Sequence, residues 1–328
     1  MFRLIVWLCT YNCNLNCKHC YVKGRNEIEM STNDAIKMIG EIAELNPRHF
    51  SITGGEPLIR NDILDLLKTT YEYDLNTSIV TNGYYLNEDI ARKLYEYEIY
   101  VYLSLDAGSR DTCNLIRGFN SWNKILSAAE IMRRIGVEFS TIMTIMPENY
   151  LEVDSFILKS IEIGADHSSL IPIIPSGNAR NRFLEPSKLL KAFKLAENIA
   201  DNHGYYISFW CSPFLRWIKE SKYVYVGSCP DDAIDIDPAG NLLICDTLKF
   251  KTSNVLEKGV YRAIKEHFNN PLTLKFKDNS KLKGKCSICK FRDKCGGGCR
   301  ARSYLIYNDF YMPDPSCPIN NEIKNEGI

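Results

Sequence analysis

The 328-residue chain predicts an α/β protein: a partial (β/α)6 TIM-like barrel followed by a cysteine-rich extension that contains a β-hairpin. Three observations predict it. Short β-rich runs alternate six times with amphipathic helical stretches through the first half. The alternation stops beyond about Tyr205. Eight of the thirteen cysteines lie after that point.

Strands are expected at Arg3–Cys9, Phe50–Thr53, Thr77–Thr81, Tyr100–Leu105, Val137–Ile145 and His167–Ile173, each a short run rich in β-branched or aromatic residues. Helical periodicity falls between and after them, over Ser31–Leu45 (opening at an N-cap serine), Asn61–Tyr71, Asn87–Tyr95, Ser121–Ile135, Asn149–Ile163 and Glu185–Ala200. A strand-then-helix unit repeated six times calls for a parallel sheet. Right-handed crossovers then place all six strand C-termini on one face, where the site should lie. Further on, Asp232–Asp237 and Asn241–Cys245 read as a β-hairpin around Asp237-Pro238-Ala239-Gly240, and Glu257–Phe268 as a helix. The division expected from this pattern is residues 1–205 and 206–328.

Composition excludes several functions. Apolar residues make up 45% and the formal net charge is zero, which fits neither a basic nucleic-acid binder nor a disordered acidic chain. No run approaches the roughly 18 apolar residues of a membrane helix. The N-terminal stretch lacks a basic region and a small-residue cleavage site, so a cytoplasmic address is expected. Residues 246–302 hold 15 Lys/Arg against 5 Asp/Glu. They form either a solvated face or a field that attracts an acidic substrate or redox partner.

In a reducing compartment, grouped thiols point to metal rather than disulfides. Cys13, Cys17 and Cys20 directly follow the first strand. Three thiolates can hold three irons of a [4Fe–4S] cube and leave the fourth iron open for chemistry. A zinc knuckle lacking its fourth ligand is the competing reading, with His19 as a conceivable ligand. The second array runs Cys229, Cys245, Cys286, Cys289, Cys295, Cys299 and Cys317, and a zinc ribbon would account for only its close pairs. Cys9 and Cys113 read as small buried thiols.

The N-terminal triplet resembles the signature of radical S-adenosylmethionine (SAM) enzymes. Thr53-Gly54-Gly55-Glu56-Pro57 looks like that family's GGEP motif, which implies binding of the methionyl amino group. Its glycines allow close backbone approach to a ligand, and Glu56 offers an acceptor for an ammonium. By the same resemblance Asn82, Ser104 and Asp106 contact the ribose or the methionyl end. Arg117 pairs with the SAM carboxylate, and Pro175-Ser-Gly177-Asn-Ala flanks the adenine. The C-terminal array resembles the SPASM extension, which carries auxiliary iron–sulfur clusters. The resemblance implies one auxiliary cluster on Cys286, Cys289, Cys295 and Cys317. It implies another on Cys229, Cys245 and Cys299, completed by Cys211 or left open.

The implied activity is reductive cleavage of SAM to a 5′-deoxyadenosyl radical, followed by oxidative modification of a peptide or protein as a crosslink or an oxidised residue. Decarboxylation or cleavage of a tetrapyrrole propionate on a haem or haem d1 pathway is the alternative. A non-catalytic electron carrier is the third reading. Implied partners are an external electron donor such as flavodoxin or ferredoxin and a separate peptide-recognition protein, with neither nucleic acid nor membrane. Asp246, next to Cys245, either resembles the aspartate that accepts a substrate proton in sulfatase-maturing enzymes or only caps the hairpin and balances Lys249 and Lys251; Ile244 stands where those enzymes usually have proline.

Overall fold

The computed structural model describes residues 4–227 and 232–319. Its strands are β1 (Leu4–Thr10), β2 (Phe50–Gly54), β3 (Thr77–Thr81), β4 (Tyr100–Ser104), β5 (Phe139–Ile145), β6 (Ser168–Pro172), β7 (Ile207–Phe209), β8 (Val224–Val226), β9 (Ala233–Ile236), β10 (Asn241–Leu243) and β11 (Lys251–Asn254). The helices of the first half are α1 (Thr32–Glu44), α2 (Ile63–Glu72), α3 (Glu88–Glu96), α4 (Arg110–Arg117), α5 (Ser121–Ile135), α6 (Val153–Glu162) and α7 (Pro186–His203). Those of the second half are α8 (Val255–Lys258), α9 (Val260–Asn269), α10 (Pro271–Lys277), α11 (Arg292–Cys295) and α12 (Arg300–Tyr307).

All six expected strand–helix units are present. The sheet runs β11-β10-β9-β1-β2-β3-β4-β5-β6-β7-β8, and β1 through β8 are parallel in chain order. The inner position of β1 explains its sequence. It has parallel neighbours on both sides, β2 and β9, and its near-continuous apolar run suits a strand covered on both faces. Trp7 is fully buried there and stacks on Phe50 with ring centroids 6.5 Å apart. Helix α1 begins as expected: the Ser31 hydroxyl accepts from the Asp34 N–H, and Ala35, Met38, Ile39 and Ile42 form the buried stripe.

Four features differ from expectation. Two further parallel strands, β7 and β8, follow residue 205, so paired strands cross the expected boundary at 205/206. At three residues each they are too short to show a period of two. The hairpin β9–β10 forms at Asp237–Gly240, where Asp237 Oδ1 accepts from Ala239 N and Asn241 N. Its first strand pairs with β1, however, so the extension prolongs the barrel sheet. Helix α4 was not expected, because in its polar sequence only Cys113, Ile116 and Arg117 are buried. The single helix expected at Glu257–Phe268 is broken by Gly259, whose φ of +76° ends α8 and starts α9.

Candidate active site and cysteine clusters

The loop carrying Cys13, Cys17 and Cys20 leaves the C-terminal end of β1, and three segments hold it. Behind it, Gly55 N donates to Thr10 O (2.6 Å) and Glu56 N to Asn12 O (2.9 Å). Beside it, Lys18 N bonds Ile116 O at 2.9 Å. Over it, the loop after β6 closes: Asn178 N donates to Cys20 O, Asn178 Nδ2 to Cys17 O, and Ser176 Oγ to Tyr21 O. Residues 175–178 therefore clamp the triplet.

The glycines of the Gly54-Gly55 pair serve the same end. A Cβ on Gly55 would lie 2.0 Å from Asn12 O, and one on Gly54 2.2 Å from Thr10 O. Their close approach is to the cysteine loop, where a ligand had been expected. Glu56 serves the fold as well. Buried at the first turn after β2, it accepts from Leu58 N and Thr81 Oγ1 on Oε1 and from Asn82 N on Oε2. It ties β2 to the end of β3, and one lone pair of Oε2 remains for an ammonium. Burial raises its pKa against the pull of these bonds. Pro57 starts the short turn that Glu56 caps.

Asn82 meets the cysteine loop directly, with Nδ2 2.9 Å from Asn14 Oδ1 and 3.9 Å from Cys13 Sγ. Ser104 ends β4 opposite Ile142. Arg117, expected to be available for a carboxylate, is ion-paired with buried Asp106. Asp106 also accepts from Thr144 N at 2.6 Å and faces His19 Nε2 at 3.4 Å. Burial lowers the His19 pKa against the pull of the Asp106 carboxylate. Three atoms around the triplet are buried without a hydrogen-bond partner among the described residues: His19 Nδ1, Asn14 Nδ2 and Arg117 Nε. Unpaired buried donors are costly unless something fills the site, so this cradle fits a bound polar ligand. Burial pushes the Cys17 thiol up to about 11, and a thiophilic metal bound there would hold it ionised.

In the extension, Cys286, Cys289, Cys295 and Cys317 line one pocket with Phe214, Phe291 and Gly297. Four thiols facing one small apolar space fit a closed cluster. Burial raises all of Cys286, Cys295 and Cys317, to about 11, 12 and 11. Cys229 lies outside the described residues. Its expected companions Cys245 and Cys299 pack against the same apolar cluster of Ile244, Leu248, Phe276, Ala301 and Phe310. Cys211 takes a left-handed backbone (φ +54°), and its thiol is hydrogen-bonded to that of Cys299. This bond outweighs burial and holds the Cys299 thiol below the usual range. Cys9 and Cys113 are fully buried, Cys113 donating to Leu105 O.

The two cysteine regions meet at Asp246. Tyr21, which follows Cys20, donates from its hydroxyl to Asp246 Oδ2 at 2.8 Å. Asp246 N donates to Asp235 Oδ2 at 2.9 Å, and Arg25 Nη1 to the Asp246 carbonyl at 2.6 Å. Burial, then the nearby Asp246 charge, raises Asp235 well above the carboxylate range. Tyr21, Arg25 and Asp235 were not expected from the sequence, and only the adjacency of Tyr21 to Cys20 could have signalled any of them. A second hub, also missed, lies at Arg302. It is fully buried, pairs with Asp314 Oδ2 at 2.5 Å, and donates to Ile173 O, Pro172 O and Cys211 O.

A parallel barrel with a three-thiol loop at the head of its first strand defines the class: residues 7–159 match the radical SAM superfamily, so the chain carries a radical SAM domain, followed by a cysteine-rich C-terminal region. SAM and [4Fe–4S] clusters are its cofactors. Among its relatives, the AdoMet-dependent heme synthase of Methanosarcina barkeri is 25% identical over 338 residues, covering 96% of each chain. The mycofactocin maturase MftC of Mycolicibacterium smegmatis is 24% identical, covering 95% of this chain and 82% of its own. In architecture the chain is similar to Streptococcus suis SuiB bound to its precursor peptide SuiA (TM-score 0.78, 16% identity, covering 97% of this chain and 76% of SuiB). It is also similar to anSMEcpe with bound AdoMet (TM-score 0.74, 21% identity, 96% and 93% covered). No helix among the described residues is long and apolar enough to cross a membrane.

Proposed function

We propose that the protein oxidatively modifies a peptide or protein, forming a crosslink or an oxidised residue. The observation that carries this reading is the Asp246 carboxylate, held by Tyr21 between the triplet loop and the loop of Cys245. Removing a hydrogen atom and then an electron from a C–H centre also releases a proton, which needs an acceptor. Oxidative decarboxylation of a propionate releases carbon dioxide instead and needs no base. The tetrapyrrole reading keeps one support, the likeness to the heme synthase along the whole of both chains.

Cys13, Cys17 and Cys20 would hold the SAM-binding cluster. Cys286, Cys289, Cys295 and Cys317 would hold one auxiliary cluster, and Cys211, Cys229, Cys245 and Cys299 the other. Bound together, the first cluster and SAM supply a hydrogen-abstracting radical. The chain's own residues do the rest. Glu56, with its remaining lone pair, and the peptide groups of Gly54 and Gly55 face the methionyl ammonium, Asn82 and Ser104 the ligand's polar edge, and Arg117 Nε its carboxylate. Asp106 fixes Arg117 and His19 in place. Tyr21 aims Asp246, which takes the proton. In these terms residues 1–205 form the radical SAM core and 206–328 the auxiliary-cluster domain, in a cytoplasmic protein. An external donor such as flavodoxin or ferredoxin would reduce the first cluster, and a separate protein would present the peptide.

The test is anaerobic incubation of the reconstituted protein with SAM, reductant and either a peptide pool or iron-coproporphyrin, read by mass spectrometry. Loss of two hydrogens from a peptide is expected. Loss of carbon dioxide from the porphyrin with peptides untouched would contradict the reading.

A further inference from the structure

The basic surplus of residues 246–302 takes no part in this chemistry, and the structure concentrates much of it around one group of thiols. Within 281–294, Lys281, Lys283, Lys285, Lys290, Arg292 and Lys294 stand against Asp293 alone. Two of them are neutralised from outside the segment: Lys283 by Asp309 at 2.7 Å and Lys281 by Asp278 at 3.5 Å. Lys285 Nζ donates to the Cys317 carbonyl at 2.7 Å, and Arg292 lines the pocket shared by Cys286, Cys289, Cys295 and Cys317. Lys290 and Lys294 are exposed and have no carboxylate partner among the described residues. Lys290 lies over the Phe291 ring, which stacks on Trp217 at 4.5 Å. In the same segment, in the turn between Cys286 and Cys289, Ile288 is 76% exposed.

An exposed apolar side chain between two cysteines, in a segment this rich in cations, suits a brief encounter with an acidic surface. The charges steer the approach, and the apolar contact is small enough to release. A solvated lysine face would show the cations without the exposed isoleucine among them. We propose that a small acidic one-electron carrier protein docks here and takes up the electron released when substrate is oxidised. The proposal rests on the assignment of an auxiliary cluster to Cys286, Cys289, Cys295 and Cys317. The step balances: the substrate radical forms its new bond as its proton passes to Asp246 and one electron leaves, and that electron reduces the docked carrier by one.

The experiment mixes dithionite-reduced, desalted, cluster-loaded protein with oxidised flavodoxin in a stopped-flow instrument and follows flavin absorbance. The second-order rate should fall steeply with added salt. At low salt it should fall at least tenfold in the exposed double variant Lys290→Glu/Lys294→Glu. Iron content and dithionite-driven 5′-deoxyadenosine formation should be unchanged. Lys124→Glu, beside Tyr84 near the triplet loop, should leave the rate unaltered. Iron missing from the Cys286 group of the parent protein would overturn the cluster assignment and the proposal with it. Full iron with an unchanged rate would overturn the docking alone. So would a rate loss in Lys124→Glu, or an effect confined to the KM of a peptide substrate.

Discussion

The protein holds thiols in two regions, and it finishes them differently. Around Cys13, Cys17 and Cys20 the backbone is clamped from three sides, yet His19 Nδ1, Asn14 Nδ2 and Arg117 Nε are left buried without partners. Around the C-terminal thiols the polar groups are closed off by Arg302 and Asp314. Arg302 spends its guanidinium on Asp314 and on carbonyls of Pro172, Ile173 and Cys211, while Asp314 also accepts from Cys299 N and Ser316 N. A site that must bind and release a small molecule is left incomplete by the protein. A site that only passes electrons can be sealed, and sealing it gives rigidity.

Removing the seal should have the largest effect. Arg302→Met leaves Asp314 buried and unpaired, and should cost about 3–5 kcal/mol in denaturant unfolding. A loss under about 1 kcal/mol would mean the hub is not what closes this region. The clamp on the open site comes next. Gly55→Ala drives a Cβ into Asn12 O and should cost about 1–3 kcal/mol. It should also deplete iron from the triplet while the C-terminal iron stays. Uniform iron loss would erase the distinction between the regions.

The junction between them gives smaller effects. Asp246→Asn, with full cluster loading, should still make 5′-deoxyadenosine while oxidised product falls at least tenfold, about 1.4 kcal/mol or more. Unchanged product would reduce Asp246 to a structural residue. Tyr21→Phe removes one hydrogen bond to that carboxylate, worth about 0.5–1.5 kcal/mol, and should lower product formation several-fold at most. A loss larger than that of Asp246→Asn would show Tyr21 acting on its own.

What could be read from the sequence follows the range of the interactions. Strand β1 was legible because burial on both faces leaves a continuous apolar run, and α1 because its cap and stripe are local. The triplet was legible because its three ligands lie on one loop. Strands β7 and β8 carry too few residues to register. The GGEP-like motif could be seen, but not that Glu56 spends its oxygens on Thr81 and Asn82, 25 and 26 residues away. Arg302 was invisible in its role, since its partners Pro172 and Ile173 lie on another strand end 130 and 129 residues earlier. Cys211 could be named as a candidate ligand, but only the fold sets its thiol against Cys299.

The account stands most directly on one comparison: iron and SAM turnover in the Cys13→Ala/Cys17→Ala/Cys20→Ala variant beside the parent, both reconstituted anaerobically. Three cubane clusters give about 12 iron in the parent and about 8 in the variant. The variant should keep its C-terminal iron signals and make no 5′-deoxyadenosine. SAM cleavage surviving without the triplet, or zinc in place of iron in the parent, would contradict it.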